Sequence, residues 1–139
     1  MSPSIRTLLV ALLLLVTASC RKPVAATLGQ PVLLHVRQAV HFQESDLDLY
    51  FRRVVSDSRC PTGAECVTAG EAVVALDGRI LKGPVETFEV RLPAGAPDSV
   101  AWRAYDGYRI GLVKLEPSPS TDRAADTTAY VGTFLVEKR

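Results

Sequence analysis

From Pro31 onward the apolar residues of this chain recur at every second position, not at every third or fourth. Val32, Leu34 and Val36 alternate with other residues. Leu47, Leu49 and Phe51 alternate with Asp48, Tyr50 and Arg52, and Phe88, Val90 and Leu92 alternate with Glu89 and Arg91. This period sends successive side chains to opposite faces of an extended strand. Residues 71–76 form a short β-rich run. Residues 100–105 and 108–115 flank Asp106-Gly107, a pair that favours a tight hairpin turn, and residues 130–136 alternate once more. Asp77-Gly78 reads as a further turn. Prolines 84, 93, 97, 117 and 119 fall between the runs, where they remove no ladder hydrogen bond. No stretch beyond the first twenty residues carries a helical stripe.

Seven or eight short strands within about a hundred residues predict two sheets packed face to face, because strict alternation requires each strand to bury one face and wet the other. The expected fold is all-β, a single immunoglobulin-like β-sandwich over residues 31–139. Leu34, Leu49, Phe51, Val74, Val90, Trp102, Ile110, Leu112, Phe134 and Val136 are the expected core.

The first twenty residues follow a different rule. Arg6 precedes an unbroken apolar run, residues 8–16, and small residues then lead to Cys20. A spanning helix needs about 20 apolar residues, so nine are too few. A charged start, a short apolar core and small residues beyond it mark a secretory signal peptide. Thr17, Ala18 and Ser19 directly before Cys20 resemble the lipobox of bacterial lipoproteins. That resemblance implies a diacylglyceryl group on the Cys20 thiol and cleavage just before it. Residues 1–19 are therefore expected to be a signal peptide. Residues 20–30, with a proline and little periodicity, are expected to be a lipidated tether. The expected location is the cell envelope, lipid-anchored, at the outer membrane facing the periplasm if the organism is Gram-negative. Arg21, and not an aspartate, follows the anchor.

Charge narrows the partners. The chain has 16 Lys+Arg and 15 Asp+Glu, and Arg6 is the only charge in the first nineteen residues, so the remainder balances. A neutral balance argues against nucleic acid, which calls for a basic face. The expected contacts are the membrane, through the anchor, and an envelope protein partner. With Cys20 acylated, Cys60 and Cys66 form an even pair, and in an oxidising compartment such a pair is expected to be a disulfide.

Residues 57–72 read DSRCPTGAECVTAGEA. This segment resembles a motif of uncharacterised small secreted proteins and lipoproteins of bacteria, in which Asp-Ser-Arg-Cys-Pro precedes a second cysteine and an Ala-Gly-Glu or Ala-Gly-Asn step. Tyr108, Ile110, Leu112, Leu115, Pro117, Pro119, Tyr130 and Val136 stand where that family's closing hairpin has similar residues. Thr68 is a departure, since the family often has tryptophan there. The resemblance implies a single β-sandwich behind a signal peptide and brings no activity. Read without it, the cysteines pin a loop turned by Pro61 and Gly63, and Gly70 lets the chain re-enter a sheet at Glu71. Arg59 has a carboxylate on either side, Asp57 and Glu71, and a surface pair with either stabilises by about 0–1 kcal/mol. Asp57, Arg59 and Glu71 are the candidate residues of an interaction loop.

Catalytic signatures are sparse. The sequence has no nucleophile elbow, phosphate-cradling loop or zinc-protease helix motif. His35 and His41 are six apart, which places both on one face of an unbroken strand; His41 beside Glu44 or Asp46 offers at most a weak metal site, and solvated polar side chains are the expected reading. Two imidazoles fall short of a zinc set, so no metal and no cofactor are expected. The Cys60–Cys66 spacing differs from the Cys-x-x-Cys of thiol oxidoreductases. The expected function is a non-enzymatic binding or structural module of the envelope. The alternative is a small envelope enzyme, a hydrolase or thiol-redox protein, using residues around the disulfide loop.

Overall fold

The computed structural model of the protein describes residues 23–94, 100–122 and 126–139. Cys20, the expected signal peptide and the first residues of the expected tether lie outside these. Among the described residues there are nine strands: β1 (Val24–Ala26), β2 (Val32–His35), β3 (Ala39–Phe42), β4 (Leu47–Asp57), β5 (Glu71–Ile80), β6 (Glu86–Pro93), β7 (Arg103–Tyr105), β8 (Tyr108–Glu116) and β9 (Val131–Lys138). They form two sheets, one ordered β1-β3-β4-β5-β6 and the other β2-β9-β8-β7. All pairings are antiparallel except β1 with β3. The molecule is all-β among its described residues.

Alternation explains the layers. In β2 the burial runs buried, exposed, buried, exposed, and β3, β6 and β9 keep the same rhythm. The inward sets of both sheets meet in one core, where the Phe51 and Phe134 rings pack edge to face at 5.3 Å between centroids. Nine of the ten expected core residues are buried. Trp102 is the exception. It is 37% exposed and lies on the outer side of Gly111, with the Arg109 guanidinium 4.4 Å from its ring centroid. The strand begins only at Arg103, so Trp102 is outside the alternation that assigned it inward.

Other expectations change with the pairing. Val24–Ala26, inside the expected tether, is an edge strand in register with Val40–Phe42. Three residues carry too little periodicity to reveal a strand whose partner lies sixteen positions away. Asp77-Gly78 is no turn, because β5 continues through it, with Gly78 paired to Leu49 on one side and Glu86 on the other. A Cβ on Gly78 would come within 2.7 Å of the Tyr105 ring and 2.8 Å of the Phe88 ring. Those rings stack at 4.7 Å and join the two sheets along one edge, so glycine serves packing here. Asp106-Gly107 does turn the β7–β8 hairpin, with φ of 40° and 81°. His35 and His41 belong to different sheets, since the chain crosses over at residues 36–38.

Candidate functional site

β4 is long enough to carry its last residue, Asp57, beyond the middle of the sheet to one end of the molecule. There Ser58 ties the strand to β5: its backbone N–H and its hydroxyl both donate to the Glu71 carbonyl, at 2.8 and 3.0 Å. The chain then leaves the sheet and returns at Gly70, whose φ is +68°. A Cβ at this glycine would sit 1.8 Å from the Ser58 carbonyl oxygen, so only glycine closes the loop at this point.

Arg59 turns back over the strand end. Its Nε and Nη2 donate to the two Asp57 carboxylate oxygens at 2.8 and 2.7 Å, a bidentate fork. The same guanidinium donates from Nη1 to the Leu115 carbonyl at 2.8 Å and from Nη2 to the Pro117 carbonyl at 3.1 Å. Asp57 in turn accepts from the Tyr130 hydroxyl at 3.0 Å. Asp57 belongs to one sheet, Leu115 to the other, and Tyr130 directly precedes β9, so these side chains clasp the two sheets together. Burial raises the Tyr130 phenol above its usual range; the Asp57 charge and hydrogen bond add to this, and Arg59 opposes it.

The expected surface ion pair is therefore something else. The Arg59 and Asp57 side chains are only 13% and 7% exposed, and the guanidinium is aimed at backbone carbonyls as well as at its carboxylate. Glu71, the other candidate partner, pairs with Arg91 on the outer sheet face. The structure thus brings Asp57 and Arg59 together and leaves Glu71 apart. Tyr130 is the member that sequence reasoning missed. Its signal was a tyrosine in an otherwise apolar closing segment, since a buried phenol needs a hydrogen-bond partner.

Beyond the clasp, Cys60 and Cys66 are bonded to each other, with Cα atoms 5.8 Å apart. The loop they close is docked again at Thr62, whose backbone N–H donates to the Pro119 carbonyl at 2.9 Å. Residues 62–69 are exposed, and Val67 stands fully in solvent. A groove of about 280 Å³ runs beside the clasp between the end of β4 and residues 117–120, with Tyr130 and Asp57 in its wall.

His41 is engaged elsewhere. Its Nδ1 lies 2.8 Å from Asp48, directly across the β3–β4 ladder, and Asp48 also accepts from Arg79 at 2.8 Å. Burial raises the Asp48 carboxyl, but its bonds to Arg79 and His41 outweigh this and hold it below the usual carboxylate range. Neither Glu44 nor Asp46, its neighbours in sequence, is the carboxylate His41 bonds. Among the described residues no three His, Cys, Asp or Glu side chains gather as a metal set, and no helix is long and apolar enough to cross a membrane. The chain matches no family model, no curated protein and no solved structure.

Proposed function

We propose that the chain is an envelope lipoprotein, acylated on Cys20, whose immunoglobulin-like β domain binds another envelope component through the Cys60–Cys66 loop. One observation carries this reading: the stapled loop is tied down at several points, and the residue directly after its second cysteine, Val67, is open to water. The clasp, the disulfide and the Thr62–Pro119 bond hold residues 59–66, while Val67 is wholly exposed. An ordered loop that presents an apolar side chain to water binds a partner with little further loss of conformational freedom. The polar groups an enzyme would draw on here, Asp57, Arg59 and Tyr130, are bonded to one another and to backbone carbonyls.

Photo-crosslinking in intact cells tests the proposal. A photoreactive residue at position 67 should give a discrete adduct, and one at Glu89 on the outer sheet face should not. Changing both loop cysteines to serine, or Arg59 to alanine, should weaken the adduct. If position 67 yields no adduct, or the same adducts as position 89, the loop is not the contact.

A further inference from the structure

A second feature lies away from the stapled loop, on the outer face of β4. The pairs Phe51–Leu76 and Arg53–Ala75 are consecutive in the β4–β5 ladder, so Arg52 is an extra residue there. Such a bulge re-aims side chains. In a regular strand Arg52 and Arg53 would point to opposite faces; here both are exposed. A third arginine is delivered to the same place by strained backbone. Arg37 has a φ of 65°, in the left-handed region that favours glycine, and its N–H donates to the Phe51 carbonyl at 2.6 Å. Phe51 returns a bond from its N–H to the Gln38 carbonyl at 2.9 Å. The bulge and the strained residue are thus one local device, and strain of this kind gathers at functional sites.

Arg37, Arg52 and Arg53 line a depression of about 500 Å³ together with Tyr50, Thr127 and Thr128. Asp77 holds Arg52 through one nitrogen at 2.6 Å and also accepts from Thr87. Asp126 accepts from the Thr128 hydroxyl at 2.7 Å and from its N–H at 2.9 Å. Among the described residues Arg37 and Arg53 have no carboxylate within ion-pair distance. The depression is lined by three guanidiniums and by no carboxylate among the described residues. Guanidinium forks are the donors that recognise tetrahedral oxyanions, and here they carry the recognition, since the Thr128 hydroxyl is already given to Asp126.

We propose that this depression is a binding site for a phosphate group, carried either by a lipid headgroup or by a free phosphate. Arg37 and Arg53 supply the open forks, and Arg52 is oriented by Asp77. The site is independent of the loop contact proposed above.

Calorimetric titration of the purified full chain tests it with two soluble probes. Inorganic phosphate stands for the free anion, and glycerophosphoglycerol for a diester headgroup without acyl chains. Sodium chloride at matched ionic strength is the control. Wild-type protein should bind at least one probe saturably, and Arg37→Gln and Arg53→Gln should each weaken that binding about tenfold. Asp126→Asn should bind no more weakly than wild type. Unfolding midpoints of the two arginine variants no lower than wild type exclude a general loss of fold. Tighter binding of the diester assigns the site to lipid headgroups, and tighter binding of inorganic phosphate assigns it to free phosphate. Absence of saturable binding to both probes overturns the proposal, as does binding that survives both arginine changes.

Discussion

The Arg59 guanidinium holds both oxygens of the Asp57 carboxylate, two residues back in the chain, and through that hold reaches carbonyls of the opposite sheet. The pair is local in sequence and long-range in effect. Its partners at Leu115 and Pro117 lie where β8 ends, and Tyr130, which completes it, lies where β9 begins. One end of the molecule is closed by these polar bonds, whereas along one lateral edge the two sheets are joined by the stacked rings of Phe88 and Tyr105.

Arg59→Ala should lower the unfolding free energy by about 3 kcal/mol, because it leaves a shielded carboxylate without its cation and two carbonyls without a donor. Arg59→Lys should recover little, since an ammonium has no fork. Tyr130→Phe removes one bond to the same carboxylate and should cost about 1–2 kcal/mol. Urea unfolding of the three variants checks the order. A cost for Arg59→Ala no larger than that for Tyr130→Phe would show that the clasp does not join the sheets.

The clasp also sets an alkaline limit. Tyr130 is raised in the folded state by burial and by Asp57. The unfolded chain then loses its phenol proton first, near pH 10. The stabilising contribution is complete below that pH and is lost as pH rises through the folded value. Stability should therefore fall above about pH 10, and the fall should be shallower in Tyr130→Phe. Tyr105 is raised as well, chiefly by burial and then by Glu86 and Asp106, so part of the slope should persist in that variant. Unfolding midpoints measured at closely spaced pH values read the difference.

The strand set was legible because most strands bury one face only. β4 begins at Leu47, where the alternation begins, and runs past the bulge that ends it, and nine of the expected core positions are buried. What failed needed information from distant chain. Asp77-Gly78 has turn chemistry, but Tyr105 and Phe88 occupy the space beside that glycine and the ladder runs on. Val24–Ala26 becomes a strand only because β3 offers an edge. At the site, sequence placed Arg59 between two carboxylates without choosing one. Arg91 on the neighbouring strand engages Glu71 and leaves Asp57 for Arg59. The arginine cluster was hidden for a related reason: a bulge cannot be read from an Arg-Arg pair in one strand.

Gly70→Ala should be among the most damaging single changes in the loop. The new methyl would meet the Ser58 carbonyl oxygen at 1.8 Å, and backbone on both sides would have to shift. With the left-handed φ added, a loss of more than about 2 kcal/mol is expected. Gly107→Ala is the control, because its φ is +81° but its Cβ would meet nothing within 4 Å. It should cost only the backbone strain, about 1 kcal/mol. Equal losses in the two variants would mean that the close approach at Ser58 relaxes freely.

Intact mass of the native protein decides the anchor. The expected species begins at Cys20 and carries acyl mass on that residue. Arg21 should then be the first unmodified residue in the peptide map. A secreted species cut elsewhere, or a Cys20 thiol that alkylates freely, would remove the lipid and the membrane from the proposed function while leaving the β domain and its loop as they are.

The Cys60–Cys66 bond should matter less to stability than to the loop's shape. The chain-entropy estimate for so short a loop is about 2 kcal/mol. No core side chain lies between the two cysteines, and Ser58, Arg59 and Thr62 dock the segment through bonds of their own. Changing both cysteines to serine should therefore leave a cooperatively folded β protein, less stable by about that amount. Combining this change with Arg59→Ala should cost less than the two separate losses together, because each removes part of the same loop's order. Urea midpoints of the three variants and wild type complete the cycle. A strictly additive result would mean that the disulfide and the clasp each hold the loop independently.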